Sequence, residues 1–178
     1  MPTPYAYFQG NIVPLSEAKI GVMTHAFNYG TAVFEGIRGN WNDDDQTTYL
    51  FRLREHFERL GQSSKILTLQ MHQAVDQLCE IAVELVERSG FTEDVYLRPM
   101  VYLSSEQLGV RLHNLESDTL IFLTPFPAYL PEVARCHTST WRRVQDTGIP
   151  PRAKVTGIYV NSALAKSEAN ANGFDEAI

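Results

Sequence analysis

Four amines in this chain could act as nucleophiles, those of Lys19, Lys65, Lys154 and Lys166. A lysine amine attacks a carbonyl and holds it as a Schiff base when desolvation or a neighbouring cation brings its pKa down from about 10.4 towards neutrality. Lys19 and Lys65 have polar surroundings, and Lys166 falls among polar neighbours inside a predicted helix. Lys154 alone is flanked by small and apolar residues. It follows Pro150-Pro151, which favour extended backbone, and precedes Gly157, Tyr159 and a helix expected to start at Asn161. A lone lysine is more often a solvated surface group than a catalytic one, so spacing by itself leaves both readings open.

Three arginines could meet an anion. Arg59 lies beside the apolar stripe Leu53, Phe57 and Leu60 of a helix expected over residues 54–60. A guanidinium there could grip a phosphate through two parallel hydrogen bonds, or pair with Glu55 one turn earlier. Arg98 shares one face of the expected strand Val95–Leu103 with Tyr96, Met100 and Tyr102, opposite Val95, Leu97, Val101 and Leu103. A charge in that company must be paired or must serve an anionic ligand, and Pro99 beside it suggests a sheet edge or a bulge. Arg38 ends an expected strand from Thr31, with Ala32, Phe34 and Gly36 on its face and Val33, Glu35 and Ile37 on the other. Taken alone, Phe34 reads as core and Arg38 as a solvated strand end. Gly36 inside the strand suggests a bulge or a close approach to the backbone.

These side chains need a scaffold, and the hydrophobic pattern supplies one. Tyr5 to Val13 alternates into a turn at Gln9-Gly10-Asn11 and reads as a hairpin. Thr47–Phe51 is expected to pair with the strand before it, across the polar turn of residues 42–46. Met71 to Arg88 repeats its apolar residues at helical spacing and closes on Ser89-Gly90. Residues 104–115 read as a polar loop and Thr119–Thr124 as a buried strand. PFPAYLPE, with three prolines, is the best linker. The expected organisation is a mixed α/β (α+β) fold: a small domain over 1–124, a linker over 125–134, and the start of a larger domain over 135–178.

Composition narrows the classes of function. A 44% apolar chain of 178 residues can bury a real core, and a formal charge of −6 without a basic cluster argues against nucleic acid or an anionic membrane surface. An anionic ligand therefore needs a local basic site. There is no apolar run of transmembrane length and no signal-like N-terminus, so a cytoplasmic protein is expected. Cys79 and Cys136 have neither a CxxC partner nor metal spacing, and no metal site is expected. Phosphate-loop, Rossmann, HExxH and G-x-S-x-G strings are missing. Residues Phe174 to Ile178 read as a strand that stops as it opens, and the sequence is expected to be a fragment.

Four separated stretches resemble one family in the same order. Lys154-Val-Thr-Gly-Ile-Tyr159-Val-Asn-Ser, with Glu168-Ala169 and Gly173-Phe174-Asp175-Glu176 behind it, is similar to the cofactor-lysine region of the fold type IV, pyridoxal-phosphate-dependent aminotransferases. Tyr29-Gly30 with Phe34-Glu35-Gly36-Ile37-Arg38, the string REHFERL around Arg59, and Tyr96-Leu-Arg98-Pro99 resemble motifs of the branched-chain amino acid aminotransferases within that group. The resemblance implies that Lys154 holds pyridoxal 5'-phosphate, Arg59 its phosphate, and Tyr159 its phenolic oxygen. It implies further that Tyr29, Phe34, Gly36, Arg38, Tyr96, Arg98 and Tyr129 shape the substrate site. The segment Leu108-Gly109-Val110 would reach into a neighbouring subunit of a homodimer. The implied reaction moves the amino group of leucine, isoleucine or valine to 2-oxoglutarate, giving glutamate and branched 2-oxo acids, as in amino-acid biosynthesis. Ile158 stands where many relatives carry a polar residue. Other fold type IV enzymes, such as a D-amino acid aminotransferase or an aminodeoxychorismate lyase, and a non-catalytic member remain alternatives.

Overall fold

The computed structural model describes residues 2–126 and 131–178. Seven strands form one antiparallel sheet: β1 (Tyr5–Phe8), β2 (Asn11–Pro14), β3 (Ala32–Phe34), β4 (Ile37–Asn42), β5 (Thr47–Leu50), β6 (Val95–Leu103) and β7 (Ser117–Pro125). Their order is β2-β1-β7-β6-β4-β5, with β3 also paired to β6. The hairpin β1–β2 closes through Gln9 and Gly10, both at positive φ, with Phe8 opposite Asn11.

Period-two alternation decides which face is covered. Along β6, Val95, Leu97, Pro99, Val101 and Leu103 are buried, and in β7 Ile121 and Leu123 are fully buried beside them. Two helices lie on that face, α2 (Leu53–Ile66) and α3 (Val75–Ser89), contributing Phe57 and Leu60, and Leu78, Ala82 and Leu85, to the same core, while the short α1 (His25–Tyr29) lies on the opposite face. The helix expected to open at Met71 begins at Val75. Ala74 is extended ahead of it, and Met71 extends the apolar period only because it packs on the core from the preceding loop. Conversely, α2 runs six residues past Leu60, to Ile66, through Gly61 and the buried Ser63 and Ser64. Those small side chains leave room for another segment to lie against the helix.

Pro99 is neither at an edge nor in a bulge. It sits in the middle of the nine-residue β6, in an unbroken register in which Phe34 faces Met100 and Ile37 faces Leu97. The Glu35 N–H donates to the Pro99 carbonyl at 2.9 Å, and a proline has no N–H to return the bond. The expected single strand Thr31–Arg38 therefore parts at Glu35-Gly36 into β3 and β4.

Beyond residue 131 the chain forms β8 (Cys136–His137), α4 (Tyr159–Ala171) and β9 (Glu176–Ala177), with β8 and β9 in a separate parallel pair. Glu168 on α4 accepts hydrogen bonds from the Ser139 and Thr140 hydroxyls and ties the helix to the end of β8. The 3-10 turn Thr156–Ile158 runs directly into α4, so the helix starts two residues before the expected Asn161. Pro150 and Pro151 form a turn closed by the Ala153 N–H on the Pro150 carbonyl, in place of extended backbone. Among the described residues no helix is long and apolar enough to cross a membrane, and no cluster could hold a metal ion.

Candidate active site

Lys154 is delivered by an edge contact. Residues 153–157 run along the side of β3 that β6 leaves free: Phe34 N–H donates to the Lys154 carbonyl (3.0 Å), Val155 bridges Val33, and the Thr156 hydroxyl donates to the Gly30 carbonyl (2.9 Å). Ala153 and Val155 plug into the core beside Ser63, whose hydroxyl accepts the Lys154 N–H at 3.4 Å. Gly30 permits this approach. It is left-handed (φ 65°), and a Cβ on it would lie 2.7 Å from the Gly157 Cα.

The Lys154 amine points at the Tyr159 hydroxyl, donating to it at 2.6 Å, and stands 4.7 Å from the centroid of the Phe34 ring. The Arg98 guanidinium carbon lies 4.3 Å from the same centroid, and its Nε donates to the Tyr96 hydroxyl at 2.9 Å. A Cβ at Gly36 would fall 2.5 Å from that hydroxyl oxygen, so the close approach anticipated at Gly36 is the Tyr96 ring lying across the strand. Lys154, Tyr159, Phe34, Arg98, Tyr96 and Gly36 thus form one connected group.

Behind the amine opens a cavity of about 300 Å³, lined by Lys154, Tyr159, Arg59, Arg143, Arg152 and the small Ser63, among others. Among the described residues no carboxylate lines it, although the chain as a whole is acidic. Four cations around one hollow make an anion site. Arg59 does not pair with Glu55, which Arg52 takes at 2.8 Å. Its Nε and Nη2 instead donate to the two oxygens of Glu35 at 2.7 and 2.6 Å, and the His56 Nδ1 lies 3.0 Å from the second oxygen. Burial would push the Glu35 carboxyl up. The hydrogen bonds and positive charges of Arg59 and His56 outweigh that and hold it below its ordinary range.

Three expected site residues lie elsewhere. Arg38 pairs with Asp94 at 2.9 Å, sits 5.6 Å from the Phe126 ring centroid, and lines neither this cavity nor the larger one. Tyr29, the last residue of the short helix α1, lines a separate, apolar cavity of about 830 Å³ on the sheet face opposite α2 and α3. Its hydroxyl accepts the Gly109 N–H at 3.1 Å, which puts it beside the loop that carries the exposed Val110. Buried His25 completes the clamp on that loop, with Nδ1 2.8 Å from the Thr31 hydroxyl and Nε2 2.8 Å from the Gly109 carbonyl. Tyr129 lies outside the described residues. Glu35, which binds Arg59, was not among the residues singled out from the sequence. Its signal was present: an acid on the core-facing side of a strand needs a buried partner, and His56 and Arg59 sit one turn apart on the packing helix.

The amino-transferase class IV family model matches residues 32–178, and the chain belongs to that family. It is 44% identical over 176 residues to a probable branched-chain-amino-acid aminotransferase of Aquifex aeolicus, covering 98% of this chain and 57% of that protein. The branched-chain aminotransferase of Thermoproteus uzoniensis, crystallised with norvaline, superposes with a TM-score of 0.94 at 42% identity, covering 99% of this chain and 59% of the other. The branched-chain amino acid aminotransferase of Thermobaculum terrenum, in its PLP-bound holo-form, gives 0.89 at 33%, covering 99% and 59%. The fold is the mixed α/β architecture of fold type IV aminotransferase structures, and the chain spans somewhat more than half the length of these relatives.

Proposed function

We propose that this chain is the lysine-bearing part of a pyridoxal-phosphate-dependent aminotransferase that moves the amino group of branched-chain L-amino acids to 2-oxoglutarate. The observation that carries the reading is the sharing of one cationic cavity by the Lys154 amine, the Tyr159 hydroxyl and the Arg59 guanidinium. The donor set fits the cofactor: a primary amine for its aldehyde, a phenol for its ring oxygen, and a guanidinium with free N–H groups for its phosphate. Pyridoxal phosphate, when bound, supplies the electron sink that makes the substrate Cα–H acidic.

The side chains do the rest. Arg59, with Arg143 and Arg152 beside it, would neutralise the phosphate. Lys154 would hold the aldehyde, then give it up to the substrate amine and carry the Cα proton on Nζ. Tyr159 would keep that nitrogen beside the reacting carbon. Arg98, leaning on Phe34 and bonded to Tyr96, would receive the substrate carboxylate beside the Phe34 ring. Tyr29 and Val110 do not line the cavity of Lys154, which agrees with a homodimer in which the Gly109 loop serves a neighbour's pocket. We place the domain boundary after the large sheet, between Pro125 and β8.

Borohydride reduction of the complete polypeptide loaded with pyridoxal phosphate, followed by peptide mapping, tests the reading. A pyridoxyl label on Lys154 is expected, together with turnover of L-leucine and 2-oxoglutarate. Labelling on another lysine, or none, would end the assignment; labelling with turnover of D-alanine alone would move it to a D-amino acid aminotransferase.

A further inference from the structure

Glu35 has no place in the chemistry above, yet among the described residues it is the one fully buried acidic side chain. It is held by three hydrogen bonds from two side chains of α2. The pair with Arg59 is lopsided: Glu35 is 0% exposed and Arg59 57%. One edge of the guanidinium, Nε–H and one Nη2–H, is spent on the carboxylate. Three of its five N–H groups are not used by Glu35, and Arg59 lines the cavity. A guanidinium gripped along one edge by a fixed carboxylate cannot swing. Its free edge has one direction.

The position of Glu35 in the chain adds a second constraint. The neighbouring Phe34 N–H holds the Lys154 carbonyl, while the Glu35 side chain holds Arg59. Two successive residues at the end of β3 therefore grip the amine-bearing segment and the phosphate anchor, one through its backbone and the other through its carboxylate.

We infer that Glu35 is a positioning residue that sets the spacing and direction of Arg59 relative to Lys154, so that phosphate recognition depends on a carboxylate that never touches the phosphate. This rests on the pyridoxal-phosphate reading. Its signature is specific to the phosphate: loss of Glu35 weakens binding of pyridoxal phosphate and leaves binding of pyridoxal, which has the aldehyde but no phosphate, as it was. By comparison with carboxylates that orient metal ligands, the loss is about 10- to 100-fold.

The test is equilibrium binding of pyridoxal phosphate and of pyridoxal to the complete polypeptide, followed by the absorbance of lysine-bound cofactor, in wild type, Glu35→Gln and Glu35→Asp. In Glu35→Gln the ratio of the two dissociation constants is expected to shrink by at least about tenfold, through pyridoxal phosphate alone. Glu35→Asp keeps the buried charge but withdraws it by one methylene, so it guards against a Gln variant that fails to fold. There the ratio is expected to fall roughly threefold or more. Equal weakening of both ligands, or an unchanged ratio in the Asp variant, would overturn the inference while leaving the cofactor assignment intact. Wild-type protein that captures neither ligand would overturn both.

Discussion

Tyr159 offers the most direct residue-level test, because the bond from the Lys154 amine to its hydroxyl is the shortest polar contact in the reacting group. A hydrogen bond to a charged group contributes about 1.5–3 kcal/mol, so Tyr159→Phe is expected to lower kcat by roughly 10- to 150-fold. The ring is 42% exposed, and the melting temperature should stay near that of wild type. A variant with unchanged kcat would remove Tyr159 from the chemistry. Glu35 makes a prediction about pH. Its folded-state pKa lies below the unperturbed 4.5, so the carboxylate adds stability that is complete above about pH 4.5 and is lost as pH falls through the folded value. Denaturant unfolding of wild type and Glu35→Gln between about pH 3 and pH 7 should show the wild-type advantage narrowing only on the acid side.

At the scale of elements, the site depends on the seam between β3 and residues 153–157. Chain-edge hydrogen bonds, the Gly30–Gly157 contact and the burial of Ala153 and Val155 close it. Gly30→Ala adds a methyl at a left-handed residue and into the Gly157 backbone, which should cost about 1–3 kcal/mol in denaturant unfolding and reduce pyridoxyl labelling of Lys154. Gly157→Ala is the milder comparison, since its Cβ would lie 3.3 Å from the Gly30 carbonyl oxygen and the residue is not left-handed. If the two variants were equally stable and equally labelled, the seam would not be what delivers the lysine. The loop at Gly109 depends instead on His25 and Tyr29, which hold both polar groups of one peptide residue.

The whole molecule is asymmetric: α2 and α3 cover one face of the sheet, while the other carries Phe8, Met100, Leu120 and Phe122 around an apolar hollow of about 830 Å³. A contiguous apolar face of that kind marks an interaction surface. The chain is therefore expected to bind an apolar dye at this hollow. A dye titration that gave no rise in fluorescence would contradict this.

Local pattern was enough for the strands β1, β6 and β7 and for the amphipathic α3, because alternation and helical period are properties of a few neighbouring positions; it left Lys154, Arg59 and Arg98 open between structural and ligand roles, and Tyr159 and Phe34 became candidates through the family resemblance. It could not show that Pro99 sits mid-sheet and splits the strand opposite it, since that depends on which strand lies alongside. Nor could it show that Glu35 takes one edge of the Arg59 guanidinium, or that Tyr29 and Arg38 do not line the cavity of Lys154. Glu35 and Arg59, or Phe34 and Lys154, meet only when the sheet, the helix on its face and the segment along β3 are assembled together. The sequence determined which side chains were available to bind a phosphorylated aldehyde. Tertiary packing alone decided which of them face one cavity, because direction and distance between remote groups are set by the faces on which the elements pack.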